Sequence, residues 1–536
     1  MCRVFRGMLP LPAVLLLLLL AGCGGGPANS NQGNGPSGPN LPNTPATVFF
    51  GMHQSHLAGC GTSSHQFPLF DGPAGTFRIW GNVCAEGWQG INPARGSFDF
   101  SGLDLLLADL KNRGINDVFI TLGKTPSWIS SNPTDMLCDE AGMNNLPPGM
   151  CDPPVDLNPD GTGTDQAWRD FVTTLVQHVS ASDYLANHAH IAFYEIWNEF
   201  HRSDTVATAV CQTPSAGISC SYRGTFAQML RMAQDLRCIV EGHSSDPITA
   251  TGLTCGTSGY TATGLDPTAM IMAGDAGPQP LDDGNTVMEN YLDCGANPPA
   301  GSMCNYGNAG AAATDVVVGH VYFTHGEVPE DLLPYIAVEK AMADTAGKPY
   351  FIGEGSWGKN EDTPNPTLQA AYVPRWYLTL LISGVQRAYW YAWDHASPTG
   401  SGALWSPDLL SGSPLECDIP DLKIGGYYCT GGIAYYETVD WLSDATIASV
   451  SCPGSCTNPG PGVFTVGITR SGGYEAEIVW DSSAVSSCSN PQCGSTPFPN
   501  PPFTVSQWRD VTATTHNGAP ATIGASPIIL ENMPRP

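Results

Sequence analysis

Two carboxylates carry the chemistry that this sequence suggests. Glu199 closes the run Glu195-Ile196-Trp197-Asn198-Glu199, and Glu354 lies in Ile352-Gly353-Glu354-Gly355-Ser356-Trp357. Each follows a short, apolar, β-rich stretch. Two carboxyl groups flanking a glycosidic bond are what its hydrolysis requires: one protonates the leaving oxygen and the other deals with the anomeric carbon. The acid must hold its proton near neutral pH, and a negative partner close by raises its pKa. Arg78, His320, Tyr322, Trp393 and Asp394 also lie at or near the ends of β-rich runs. Arg78 and Tyr322 are expected to donate hydrogen bonds to the second Glu and keep it ionised. Trp393 is expected to form an apolar floor under the sugar. Trp128 and Trp357 sit in rim segments, where subsite and packing roles are both open. Glu195 shares a face with Glu199 by the period of two but lies deeper along the strand, so a buried ion pair with Arg78 is expected there. Such a pair would weaken the contact of Arg78 with Glu354.

These residues need a scaffold that gathers strand ends at one place. From about 47 to 440, β-rich runs at 47–52, 76–80, 117–122, 191–197, 247–251, 315–323, 350–352 and 387–393 alternate with helical stretches. Leu103, Leu106, Leu107 and Leu110 recur with the helical period, and Gly114 ends that helix. Trp168, Phe171, Val172, Leu175 and Val176 make a second such face. Eight strands with helices between them predict an α/β fold, a (β/α)8 TIM barrel over 47–440, with its site at the C-terminal strand ends. Gly-, Pro- and Cys-rich inserts at 130–164, 255–310 and 397–432 read as loop excursions. After 440 the helical pattern stops. Runs at 463–469 and 474–480, joined by Ser471-Gly472-Gly473, and further runs at 503–511 and 527–530 predict a small β-sandwich over 441–536, packed on the barrel as a support.

Composition narrows the partner. The 536 residues carry a net charge of −28, with only 21 Lys and Arg. Nucleic-acid binding needs clustered cations and is excluded, as is a surface resting on anionic lipid. The 13 Trp and 18 Tyr suit a neutral oligo- or polysaccharide, because aromatic faces stack on sugar C–H faces. Charged residues are only 13%, against an average of about 25%. The surface must then be rich in neutral polar groups. No cofactor is expected.

The start of the chain reads as an address. Arg3 and Arg6 precede an apolar run at 9–20, too short to span a bilayer, which needs about 20 residues. Leu20-Ala21-Gly22-Cys23 resembles a bacterial lipobox, which implies cleavage before Cys23 and lipidation of its thiol. Gly24 follows, without the acidic residue associated with inner-membrane retention, so an outer-membrane or cell-surface location is expected. Residues 24–46 are Gly, Pro, Asn and Ser without periodicity and read as a flexible tether. Membrane contact is expected through the lipid alone.

Eighteen Cys are present, and sixteen remain once Cys2 and Cys23 are set aside, an even number that suits an oxidising compartment. Local pairs are the simplest arrangement: Cys60 with Cys84, Cys138 with Cys151, Cys211 with Cys220, Cys238 with Cys255, Cys294 with Cys304, and Cys417 with Cys429. The rival is zinc held by Cys452, Cys456, Cys488 and Cys493. His188-x-His190 shows no third metal ligand. Asp156-x-Asn158-x-Asp160-Gly161 resembles the front of a calcium loop, but its twelfth position is Ala167, and Asp165 is expected to cap the next helix. No metal site is expected.

Phe193-Tyr194-Glu195-Ile196-Trp197-Asn198-Glu199 resembles the strand-four signature of clan A glycoside hydrolases. Glu354 is similar in placement to that clan's strand-seven nucleophile, and Gly319-His320-Val321-Tyr322 resembles its strand six. Gly96-Ser97-Phe98-Asp99-Phe100 and Thr121-Leu122-Gly123-Lys124-Thr125-Pro126-Ser127-Trp128 most resemble family 39 and its relatives. The resemblance spans about 47–535. It implies retention of anomeric configuration, Glu199 as acid/base, Glu354 as nucleophile and Asn198 on the sugar 2-hydroxyl. The chain departs from the pattern at Phe200, where many members have Pro, and at the glycines flanking Glu354. The rival is a carbohydrate-binding lipoprotein with a barrel that no longer catalyses. A structural surface protein is the third reading. The intact pair of carboxylates favours the enzyme.

Overall fold

Eight short parallel strands enclose the centre of the barrel: β1 (Phe50–His53), β2 (Thr76–Ile79), β3 (Asp117–Thr121), β4 (His190–Glu195), β5 (Met270–Met272), β6 (Val317–His320), β7 (Tyr350–Gly355) and β8 (Ala388–Trp390). The computed structural model describes residues 47–54, 69–80, 87–137, 147–200, 221–242, 247–248, 253–254, 263–274, 288, 291–292, 309–323, 327–357, 366–394, 402–412, 415–483, 496–498 and 501–536. Cys23, the apolar leader and the 24–46 tether lie outside these residues.

The strands are hydrogen-bonded in the order β5-β4-β3-β2-β1-β8-β7-β6. A parallel bridge between Met272 and Val316 closes the remaining seam, with Ala273 N donating to Val316 O at 3.0 Å and Asp315 N to Ile271 O at 2.8 Å. The predicted TIM barrel is therefore present. Its lumen is filled by Phe119, Phe193, Met272, Val316, Val318, Phe351 and Tyr389. Helices cover the outside. α1 (Ser101–Asn112) buries the four leucines of its periodic face, and α2 (Gln166–Val179) buries Trp168, Phe171, Val172, Leu175 and Val176. Each such side chain contributes about 1.5–3 kcal/mol on leaving water.

One strand differs from expectation. The described part of that run, Pro247–Ile248, is not a barrel strand but pairs antiparallel with Leu253–Thr254, and Met270–Met272 takes the fifth place beside β4. The Ile-Thr-Ala-Thr segment has the β-branched composition of a strand, whereas Met-Ile-Met is short. Pairing with buried neighbours overrides local propensity. The 397–432 insert is also more than a loop. It carries a three-stranded sheet of Trp405–Ser406, Tyr427–Cys429 and Cys417–Pro420, with Cys417 and Cys429 joined by a disulfide.

The C-terminal region has six antiparallel strands: β9 (Thr446–Ser451), β10 (Val463–Arg470), β11 (Tyr474–Asp481), β12 (Gln507–Asp510), β13 (Thr515–Asn517) and β14 (Ile528–Glu531), ordered β9-β10-β11-β14-β12-β13. The expected turn at Ser471–Gly473 joins β10 and β11, with Gly472 and Gly473 at φ of 78° and 79°, where a side chain would be strained. Val466, Ile468, Ile478 and Trp480 join the main core. On the opposite face, Val479, Trp508, Ile528 and Leu530 pack against Phe498, Phe503 and Val505. A buried junction ties this sheet to the barrel. Arg375, on α3 (Pro366–Ile382), donates to Glu330, with Nε at 2.9 Å from Oε1, and Trp480 Nε1 donates to the same oxygen at 2.7 Å.

Cys452 and Cys456 form a disulfide, which displaces the zinc alternative for those two, and Cys151 and Cys238 are disulfide-bonded as well. The other proposed cysteine partners lie outside the described residues. His188 stacks on Tyr184, while His190 Nε2 lies 2.8 Å from Asp266 Oδ2, so the two imidazoles serve separate contacts. No helix among the described residues is long and apolar enough to cross a membrane.

The calcium-like loop spends its carboxylates on its own backbone. Asp160 Oδ1 accepts from Thr162 N at 3.0 Å, and Asp156 Oδ2 accepts from Gln166 N at 2.8 Å and Ala167 N at 3.2 Å. Asp156 thus caps α2, correcting the assignment of that role to Asp165. Asp165 instead turns inward at φ 46° and is fully buried. Burial, and then the neighbouring Asp235, push its carboxyl well above the usual range, with Asp156 adding to this and Arg231 opposing it. A raised carboxyl pKa favours the fold while the group is protonated and loses that contribution as pH rises. Asp165→Asn, which keeps the shape without a charge, should therefore melt close to wild type at pH 4 and increasingly above it toward pH 8. Parallel melting curves across that range would refute this.

Candidate active site

Four of the five strand ends named from sequence, those carrying Arg78, Glu199, His320 with Tyr322, and Glu354, converge at one mouth. Arg78, the third residue of β2, is fully buried beneath it. Its Nη1 donates to Glu354 Oε2 at 2.5 Å, and its Nη2 donates to Asn198 Oδ1 at 2.7 Å and lies 3.3 Å from Glu195 Oε2. The guanidinium fork serves both sides at once. The pair with Glu195 exists as expected, but it uses the other amino group, so the contact with Glu354 is not weakened. Thr121, at the end of β3, donates its hydroxyl to Glu195 and completes this lower layer.

Glu354 stands near the end of β7. Tyr322, two residues past β6, donates its phenol to Glu354 Oε1. Burial raises the Glu354 pKa, but His320 and then Arg78 outweigh it and hold the carboxyl at about 2. Glu354 is thus ionised throughout the range in which a folded protein works. The resulting stability is present above the unfolded carboxylate range and is lost as pH falls through about 2. Arg78→Met removes one of the charges that oppose burial, so the acid limb of kcat/KM should move to higher pH. An acid limb that stays in place would show that Arg78 does not set the charge.

Glu199 reaches the mouth through a turn. Trp197 is fully buried, donates Nε1 to Ser221 O at 2.8 Å and passes close to Gly123, where a Cβ would lie 2.5 Å from its ring. With Trp197 fixed, Asn198 and Glu199 swing over the barrel, and Glu199 adopts a left-handed φ of 46°. Non-glycine residues in that region carry strain that surrounding structure must support, as at many functional sites. His320 Nδ1 lies 3.0 Å from Glu199 Oε1 and 3.9 Å from Glu354 Oε2, so the imidazole bridges the pair. One oxygen from each carboxylate and a ring nitrogen of His320 all lie within 4.8 Å of one another. Such spacing also matches metal ligands, but Arg78 and Tyr322 already occupy Glu354.

The tryptophans divide. Trp393 is 0% exposed and packs against Phe70, Tyr428 and Tyr436. Trp357, 3% exposed, lies between Phe323 and Tyr372. Neither presents an open face. Trp128 is half-buried at the rim, its Nε1 bonded to Asn92 O at 2.9 Å and its ring under Arg95. Sequence reasoning missed His53 and Tyr391. His53 ends β1, lies with its ring centroid 4.7 Å from that of Tyr391, and helps lower the Glu354 pKa. The expected first strand stopped one residue short of it; carrying the alternation one step further was the available signal.

Fold and site together define a (β/α)8 barrel with paired acids at its mouth. A profile of the beta-galactosidase family, glycoside hydrolase family 42, matches residues 80–216, less than half of the chain but including Asn198 and Glu199. Among solved structures, a family 39 glycoside hydrolase from the gut symbiont Bacteroides cellulosilyticus WH2 is similar in fold, with a TM-score of 0.52 and 13% identity over 92% of this chain and 82% of that one. A glucosidase from Croceicoccus marinus superposes at a TM-score of 0.44, with 12% identity over 91% of this chain and 84% of that one. None of the curated proteins compared with the chain matches it.

Proposed function

We propose that this protein is a retaining β-glycoside hydrolase, exported and anchored by lipid on Cys23, acting on an oligo- or polysaccharide. The observation that carries the reading is the pairing of Glu199 and Glu354 within 4.8 Å, one of them held ionised at about 2. Retaining enzymes place their carboxyls about 5–5.5 Å apart, and inverting ones leave about 6.5–9.5 Å for a water. Glu354 attacks the anomeric carbon as Glu199 protonates the leaving oxygen, and the glycosyl–oxygen bond to the leaving group breaks. Glu199, now ionised, takes a proton from water, which attacks the glycosyl-enzyme and frees Glu354. Arg78 keeps Glu354 charged and also accommodates Asn198 Oδ1, leaving the Asn198 amide nitrogen for the sugar 2-hydroxyl.

The test is the anomeric configuration of the first product, followed by proton NMR on aryl β-glycosides and on plant, algal and bacterial polysaccharides. Retention supports the reading, and inversion sinks it. The anchor is tested separately: mass spectrometry of the membrane-purified protein should show an acylated N-terminal Cys23, and a mature chain that starts elsewhere would disprove it.

A further inference from the structure

With Trp393 and Trp357 closed off by other aromatic rings, the mouth needs a different surface for sugar to stack on. Trp80 follows directly after β2, two residues beyond Arg78, and its ring is only partly covered. The guanidinium carbon of Arg78 lies 5.9 Å from the ring centroid, and Lys124 Nζ lies 5.7 Å from it. Arg78 also touches Glu354 and Asn198. Trp80 therefore stands within reach of a sugar bonded to the one being cleaved.

Lys124 is unusual in two ways. Its side chain is nearly all buried, with the residue 3% exposed and Nζ 3.5 Å from Cys151 Sγ, although an ammonium loses much hydration on burial. Its φ is +149°, which L-residues rarely adopt and which persists where the surrounding structure enforces it, most often at functional sites. A lysine held in that backbone conformation, beside a partly open tryptophan at the C-terminal ends of β2 and β3, is placed where barrel enzymes put substrate contacts.

We propose that Trp80 and Lys124 form a sugar subsite on the β2–β3 side of the cleavage point. Trp80 carries the apolar C–H face of a pyranose ring, and Lys124 Nζ donates to oxygens at that ring's edge. The proposal rests on the glycosidase reading above, and it adds that the substrate is at least one sugar longer than the unit cleaved.

The experiment uses the full chain in detergent. KM and kcat are measured on β-linked tetrasaccharides of xylose, mannose, glucose and galactose and on the matching aryl monoglycosides. Affinity is read by calorimetry in a Glu354→Gln background. Trp80→Ala should weaken tetrasaccharide binding by about tenfold to a hundredfold, as for truncation of an aromatic anchor, and more than it harms the aryl monoglycoside. Trp80→Phe should restore most of the affinity, and Lys124→Met should weaken the tetrasaccharide by about tenfold. Equal losses on long and short substrates would mean that Trp80 only supports Arg78, and that outcome overturns the subsite. Unchanged tetrasaccharide affinity in Trp80→Ala also overturns it, while turnover on the same sugar leaves the glycosidase reading standing. A wild type that neither binds nor cleaves any of these glycans would bring down both.

Discussion

Glu354→Gln is expected to remove nearly all turnover, a fall in kcat on the order of 10⁴ to 10⁶, whatever the leaving group. The amide cannot form the glycosyl–enzyme bond, and it takes from Arg78 the charge that its Nη1 meets at 2.5 Å. Folding should survive, since the amide oxygen can still accept from Arg78 while the amide nitrogen donates to the Tyr322 hydroxyl in place of the bond that Glu354 Oε1 accepts. With Glu354→Ala, azide can enter from the vacated face, and an α-glycosyl azide should form from a β-glycoside. Appreciable activity in Glu354→Gln, with retention intact, would disprove the assignment of Glu354 as nucleophile.

Glu199→Ala should behave differently. Loss of general acid/base help costs about 10²–10⁴ on substrates with poor leaving groups. Aryl glycosides with good leaving groups need little protonation, so their first step should survive. Water then lacks a base, and a glycosyl-enzyme should accumulate and appear as a mass increase on intact protein. Azide needs no base, so it should restore turnover and yield the β-glycosyl azide. If the two variants give each other's azide product, the roles are reversed, and Glu195, bonded to Arg78 and Thr121 below, would need a catalytic test of its own.

The pairing of Glu199 and Glu354 was legible because its context is local. Glu199 and Glu354 each follow an apolar strand, and in a barrel of this kind the ends of such strands meet. Arg78 and Tyr322 could be placed for the same reason. The aromatic residues could not be sorted, because burial of Trp393 depends on Phe70, Tyr428 and Tyr436 arriving from distant segments. Trp80 stands two residues from Arg78 in sequence, but the approach of Lys124 that marks it out from those rings is visible only in space. The fifth strand was hidden by a different cause. Three residues of Met-Ile-Met have little propensity of their own and are strand because β4 and the 315–316 segment bond to them. Asp165 misled because its sequence position is that of a cap, whereas Asp156, farther back, reaches the free N–H groups of α2.

The Glu330–Arg375 junction bears on what can be inherited or exchanged as a module. A gene cut at codon 440 looks natural, since helices precede it and strands follow. Yet Arg375 also donates toward Ala525 O at 3.4 Å, and Trp480 shares the Glu330 oxygen at 2.7 Å. Shortening the chain there would wet a guanidinium and a carboxylate that the full protein keeps dry, and would lay bare the flank of the barrel. Recombination at that point would deliver a barrel without its wall, so the barrel and the sheet are expected to travel through evolution, and through any engineering of the protein, as one cassette.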